Sequence, residues 1–354
     1  GRPVRVWLSR QEEMAFENYG PAFVIEQRVG LDASGTIVAW DYEGWSLSLG
    51  GRPGYNAPGN VVTGYLAGFP PQGVMPRAPA PAPTGFDNGS NTAPSYVTGT
   101  VASTSGGCGV VKSERALSHT IESPFFTGPL RSPARLQNTF AHESFMDEIA
   151  ASVKADPVEY RLRHLRDPRL REVVTAAAQK AGWDRRPSPR AGRRNGVASG
   201  RGMGCVLYEG DNGYCALVAE VDVNLSTGLV TVKRCVAAMD CGPISNPDGV
   251  QNQMQGGIIH GISRALREEV TWAGEKVTSI DWRTYRPWYL GDQIPVIETV
   301  LINRPDAEAM GAGETTITVT AAAIGNAIFD ATGVRVRQLP FTPERVKAAL
   351  DARA

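Results

Sequence analysis

Gly311-Ala312-Gly313-Glu314 leads, two residues later, into an uninterrupted run of small and apolar residues over positions 317–332 that reads as a buried helix. The two glycines let the backbone approach a neighbour closely or adopt positive φ. A carboxylate just before a helix sits where amide donors and the helix dipole favour its anionic form. Glu314 therefore has two readings. It is a capping acid at a Gly-x-Gly turn, or a base held at a tight turn with room for a bulky ligand beside it.

Working outward, residues 250–270 read as a second helix, with Gly256, Gly257 and Gly261 grouped on one side. A glycine inside a helix costs roughly 1 kcal/mol relative to Ala, so three of them need a reason: close packing of another helix, or a ligand. Residues 214–224 and 229–240 alternate apolar and polar around Ser226-Thr227-Gly228, a hairpin pattern. Thr342-Pro343-Glu344 opens a closing helix that offers Val346 and Leu350 to the core.

Upstream, residues 23–45 form a second hairpin pattern with Asp32-Ala33-Ser34-Gly35 at its tip. Helix signals cover 135–154. Asp156-Pro157-Val158-Glu159 places Asp at the N-cap, Pro at the first helical position and Glu at the third. Asp167-Pro168 opens another helix that runs to Gly182. Between them, residues 50–107 shift toward Gly, Pro, Ser, Thr and Asn. Tyr55, Tyr65, Phe69, Phe86 and Tyr96 are available as anchors there, which favours an ordered wrap over a free linker. Residues 4–8 read as a strand, so the chain is expected to enter in the middle of a fold.

The 354 residues suggest two domains. The basic, Pro-containing stretch 185–200 is the expected linker between 1–184, with the long irregular loop at 50–107, and 201–354. Lys plus Arg (36) balances Asp plus Glu (36), so no overall field draws the chain to nucleic acid or an anionic membrane. The cluster at 185–194 lacks the interleaved aromatics of a nucleic-acid groove. No run of about 18 apolar residues appears. The five cysteines, Cys108, Cys205, Cys215, Cys235 and Cys241, lack metal-ligand spacing, and the four histidines are scattered, so no zinc or iron–sulfur site is expected on these residues. The cytoplasm is the expected compartment, with the periplasm open if a targeting signal lies on a segment outside these residues.

Several blocks, in order, resemble the molybdopterin-binding large subunits of the xanthine dehydrogenase/aldehyde oxidase family, and most closely its isoquinoline 1-oxidoreductase and nicotinate dehydrogenase branch. They are Arg2-Pro3-Val4-Arg5-Val6 with Ser9-Arg10-Gln11-Glu12-Glu13, Gly128-Pro129-Leu130-Arg131-Ser132-Pro133, and Phe140-Ala141-His142-Glu143-Ser144-Phe145-Met146-Asp147-Glu148. Asp240-Cys241-Gly242 with Asn246-Pro247-Asp248 follows, then Gln253-Met254-Gln255-Gly256-Gly257, the 311–314 turn, and Asn326-Ala327-Ile328-Phe329 through Gly333-Val334-Arg335. The resemblance spans essentially the whole sequence.

It implies an α+β, two-domain molybdenum-cofactor-binding fold of mixed sheets with packed helices. Glu314 takes the role of the active-site base beside molybdenum. Leu130, Arg131 and Ser132 match the loop running past the metal. Gln253, Gly256, Gly257, Gly311, Ala312 and Gly313 match segments that approach the pterin, through which the metal is held without a protein ligand. The implied reaction is oxidation of an N-heterocyclic aromatic substrate with water as the oxygen source. An aldehyde-oxidising member and a non-catalytic scaffold are the alternatives. The cofactor is molybdenum–molybdopterin, with the cytosine dinucleotide form as one option, and electrons leave through [2Fe–2S] clusters on a partner subunit, then a flavin (FAD) subunit or a c-type cytochrome. The family's Gly-Gly-Phe-Gly loop, usual just upstream of the Arg-Pro-Val block, is not among these residues. The N-terminal half of the large subunit is expected from another segment or another chain.

Overall fold

The computed structural model describes residues 1–5, 7–15, 19–47, 66–70, 91–98, 107–121, 127–190, 196–210, 212–274 and 276–353. It is an α+β fold with two mixed sheets. The first has the order β1-β2-β3: β1 (Phe23–Leu31) and β2 (Ile37–Leu47) are the expected hairpin, and β3 (Ser113–Ile121) joins β2 in parallel. The hairpin tip is fixed by Asp32, whose Oδ1 accepts from the amides of Ser34 (2.8 Å) and Thr36 (2.9 Å). A short helix, α1 (Arg10–Ala15), precedes this sheet.

The second sheet has the order β4-β5-β6-β9, formed by β4 (Val197–Leu207), β5 (Tyr214–Asn224), β6 (Val230–Asp240) and β9 (Val296–Ile302). The first three run antiparallel and β9 lies parallel to β6. A two-stranded ribbon, β7 (Trp272–Ala273) and β8 (Lys276–Val277), stands apart. β5 is buried almost continuously because both faces of its sheet are covered. Cys215, Leu217, Ala219, Val221 and Val223 face one core, and Ala216 and Val218 face the other.

The longer helices among the described residues are α2 (Arg135–Ser152), α3 (Pro157–His164), α4 (Pro168–Ala181), α5 (Pro247–Leu266), α6 (Thr315–Thr332) and α7 (Pro343–Asp351). Asp156, Asp167, Asn246 and Thr342 each cap with the side chain ahead of a proline at the first helical position. α6 is buried on nearly every side. It lies directly on β4: a Cβ added at Gly202 would stand 2.2 Å from the Ala327 amide nitrogen, and one at Gly200 2.3 Å from the Ala327 carbonyl oxygen. Glycine in the strand thus lets helix backbone and strand backbone touch.

Three findings refine the sequence reading. Residues 4–8 do not form a strand among the described residues: Val4 is 86% and Trp7 82% exposed, and no neighbouring strand satisfies their backbone groups. Of the expected wrap at 50–107, Tyr55, Tyr65 and Phe86 lie outside the described residues, Phe69 is exposed, and Tyr96 is fully buried with its hydroxyl donating to Glu143 at 2.5 Å. The stretch 185–200 is docked where it is described. Arg186 donates two 2.7 Å hydrogen bonds to Asp330, Ser188 donates a third at 2.7 Å, and β4 begins at Val197. One buried cluster draws on Trp40, Tyr96, Met146 and Leu170 as well as Met203, Leu207 and Val218, so side chains from both sides of this stretch share a core.

Candidate active site

Four segments meet at the amino end of α6. The turn before it is anchored by Gly311, whose amide donates to Asn212 Oδ1 at 2.5 Å. Glu314 occupies the N-cap position of α6, yet its side chain caps nothing on its own helix. It reaches outward instead. Oε1 accepts from the amide of Ser132 at 2.9 Å, and Oε2 accepts a short hydrogen bond from the Tyr208 hydroxyl. The carboxylate stays at the positive end of the helix dipole while its oxygens are oriented by donors from two distant segments.

The loop carrying Ser132 is conformationally strained. Ser132 and Ala134 have φ of 65° and 61°, left-handed values that cost non-glycine residues of order 1–3 kcal/mol and that surrounding contacts must hold in place. Those contacts are present. Ser132 Oγ lies 2.7 Å from Thr318 Oγ1, and Arg264 Nη1 donates to the Arg131 carbonyl at 2.7 Å. The Arg131 side chain closes the circle: Nε donates to the Gly313 carbonyl at 2.7 Å and Nη2 to Gln253 Oε1 at 2.9 Å. Leu130 is 44% exposed at the rim.

The glycines divide by role. A Cβ on Gly257 would stand 2.2 Å from Thr316 Oγ1 and one on Gly261 2.6 Å from Thr320 Cβ, so these two, one helical turn apart, let α5 pack against α6. Gly256 faces open space, with nothing within 4 Å, and at Gly313 the nearest atom is Gln253 Oε1 at 3.9 Å. The helix-packing explanation thus accounts for Gly257 and Gly261, while Gly256 presents bare backbone toward open space and Gly313 faces only the Gln253 carboxamide. Gly311 is held against Asn212, and Ala312 packs at the edge of the core.

Burial, and secondarily the hydrogen bond to Glu314, pushes the Tyr208 hydroxyl well above the ordinary tyrosine range, so it remains a protonated donor. Burial lowers Arg131, and the Glu314 charge opposes that shift. Burial and then the Arg264 charge lower His260, on the same helix, which leaves its imidazole neutral at pH 7. Among the described residues, no group of three His, Cys, Asp or Glu side chains is placed to hold a metal ion.

The structure thus brings Arg131, Ser132, Gln253, Gly313 and Glu314 into one hydrogen-bonded group, with Gly256 opening beside it. Tyr208, Asn212 and Arg264 also belong to this group and were not picked out from sequence. Tyr208 sits at the end of a strand in an ordinary Tyr-Glu-Gly turn, and only the fold brings it to Glu314 across 106 positions.

Residues 208–293 match the molybdopterin cofactor-binding domain. The chain is 35% identical over 357 residues to one subunit of the nicotinate dehydrogenase of Pseudomonas putida, covering 99% of this chain and 28% of that protein. It is 36% identical over 208 residues to the beta subunit of isoquinoline 1-oxidoreductase from Brevundimonas diminuta, covering 58% of this chain and 26% of that one. In structure it is similar to quinoline 2-oxidoreductase from Pseudomonas putida 86, with a TM-score of 0.74 at 14% identity, covering 97% of this chain and 64% of that chain. The fold and the matched segment define the class as a molybdopterin cofactor-binding fold. Over its length the chain is similar to molybdopterin-binding subunits of the xanthine dehydrogenase/aldehyde oxidase family. It spans only about a quarter of the length of these two curated relatives.

Proposed function

We propose that the chain forms the Glu314 half of the active site of a molybdenum-dependent hydroxylase that oxidises an N-heterocyclic aromatic substrate with oxygen from water. The observation that carries this reading is the convergence of Arg131, Ser132 and Gln253 on the Gly313–Glu314 turn, with Arg131 and Ser132 reaching it across 182 positions of sequence.

The residues present fit a pterin cofactor. Gly256 offers backbone that meets nothing within 4 Å, and Gly313 leaves room for no more than a 3.9 Å approach to Gln253 Oε1. Beside them lies the Arg131 guanidinium, which holds the Gln253 carboxamide and the Gly313 carbonyl. A broad, flat, polar ligand needs this combination of bare backbone and fixed donors. Bound there, the molybdenum cofactor would supply Lewis-acid and redox chemistry.

The protein's own part is proton handling and positioning. Glu314 is the carboxylate on which the Ser132 amide and the Tyr208 hydroxyl converge. Each of its oxygens accepts one hydrogen bond and retains a lone pair, so either can take a proton from a reacting water. Arg131 fixes the height of the turn through the Gly313 carbonyl, and Gln253 is held by the same guanidinium. The N-heterocyclic substrate is supported by the relatives' names, nicotinate dehydrogenase and isoquinoline 1-oxidoreductase. Because those relatives are subunits and are much longer, the proposal includes further polypeptide that completes the cofactor site. It also includes an iron–sulfur partner carrying [2Fe–2S] clusters, followed by a flavin subunit or a c-type cytochrome. The cytosine dinucleotide form of the pterin belongs to the same proposal.

The test is Glu314→Gln in the assembled complex, assayed against a panel of N-heterocycles and aldehydes, with molybdenum measured alongside. The reading expects full molybdenum content and a loss of turnover of about a thousandfold or more. Near-normal turnover at full molybdenum content would overturn it, and turnover confined to aldehydes in the unaltered complex would replace the substrate class.

A further inference from the structure

Glu314 receives one donor on each oxygen. Ser132 supplies a backbone amide, while the other donor is a side chain outside every motif that marks the family resemblance. Tyr208 stands at the end of β4, only 2% exposed, and its hydroxyl points at Glu314 Oε2. Its ring is fixed as well: the Arg135 guanidinium carbon lies 5.6 Å from the ring centroid, and Arg135 is itself paired with Glu209 at 2.5 Å. The backbone seals the arrangement, since the Tyr208 amide donates to the Gly213 carbonyl at 2.9 Å and the Asn212 amide donates to the Tyr208 carbonyl at 2.8 Å. Asn212 Oδ1 in turn holds the Gly311 amide. One short turn therefore grips the Glu314 turn twice, through its backbone and through the carboxylate.

We propose that Tyr208 is a positioning residue for the Glu314 base: its hydroxyl and the Ser132 amide together fix the orientation of the carboxylate. This rests on the reading of Glu314 as the proton acceptor. A glutamate carboxylate, on three side-chain torsions, populates many orientations, and a base must hold its lone pair within reach of the proton it removes. Two donors from separate rigid segments remove that freedom. A buried phenol is suited to the task, because it stays protonated and contributes only a donor to the charged oxygen.

The experiment uses Tyr208→Phe, which keeps the ring and removes one oxygen, in the assembled complex. Tyr160→Phe serves as control, since it also removes a buried-ring hydroxyl, one that bonds the Gly35 carbonyl at 2.8 Å well away from this turn. At full molybdenum content, Tyr208→Phe is expected to lower kcat about tenfold or more, with KM changed by less than about twofold. Tyr160→Phe is expected to leave kcat unchanged.

A second arm needs no activity. Urea unfolding of the chain is compared for Tyr208→Phe alone and in a Glu314→Ala background. Destabilisation by Tyr208→Phe should disappear when its acceptor is gone, whereas a hydroxyl that does not interact with Glu314 would give additive effects. Unchanged kcat in Tyr208→Phe, or additive unfolding effects, would overturn the proposal. If Glu314→Gln instead proves fully active, the base reading fails, and the unfolding cycle still reports whether the contact exists.

Discussion

The amide nitrogen of Ser132 lies 2.9 Å from Glu314 Oε1, across 182 positions of sequence. That contact joins the strained loop before α2 to the turn before α6, and it explains why Ser132 is held at a φ of 65°. An extended Ser132 would direct its amide elsewhere. The loop conformation and the carboxylate orientation are therefore one structural feature, and several consequences can be measured.

Gly257 and Gly256, adjacent in sequence, should respond oppositely to alanine. Gly257→Ala drives a methyl into Thr316 and should destabilise the chain by about 1–3 kcal/mol. Gly256→Ala meets no neighbour and removes a helix-interior glycine, so stability should hold or rise by up to about 1 kcal/mol. Urea unfolding measures both. Gly256→Trp, by contrast, should reduce the pterin content of an otherwise folded complex, because its side chain would occupy the open face beside Gln253.

Arg131→Ala removes the donors that tie Gly313 to Gln253. Retention of pterin through gel filtration should weaken by about tenfold, the scale of a charge-assisted contact. Pterin fluorescence of the released cofactor is the readout, and retention equal to the native complex would remove Arg131 from the cofactor site.

Asp330 gives a pH-dependent prediction. Burial alone would raise its carboxyl, but hydrogen bonds from Arg186, Ser188 and the Arg201 amide outweigh this and hold it below the ordinary aspartate range. An unfolded aspartate titrates near ~4, so the stabilisation is complete above that pH and is lost as pH falls toward the lower folded value. Asp330→Asn should cost about 1.5–3 kcal/mol at pH 7, by leaving the partly exposed Arg186 against a neutral partner. The gap between native and variant should narrow below pH ~4, as followed by thermal unfolding across a pH series.

Much of this fold is legible in the sequence. Capping signals at Asp156, Asp167 and Thr342 give helix starts that the structure reproduces, because a cap is a local device that one short stretch fully encodes. The hairpins at 23–47 and 214–240 follow from alternation around turn residues. The strands β3, β4 and β9 were not identified. In β4, Gly200, Gly202 and Gly204 look like a loop until α6 is seen lying on them, and β3 carries no apolar alternation strong enough to mark it. The apparent strand at 4–8 fails for the complementary reason: a β-like pattern needs a partner edge. At the site, the Glu314 turn stood out through its own glycines, whereas Tyr208 and Arg264 became visible only when the fold joined them to it.

The central claim is that the Glu314 turn, Arg131, Gln253 and the open backbone at Gly256 form one wall of a molybdopterin site. Metal and pterin analysis of the chain purified in its native assembly tests this most directly. The account predicts stoichiometric molybdenum with releasable pterin, both diminished together in Gly256→Trp and both retained in Glu314→Gln. An assembly that purifies intact and active, yet contains neither molybdenum nor pterin, would contradict it.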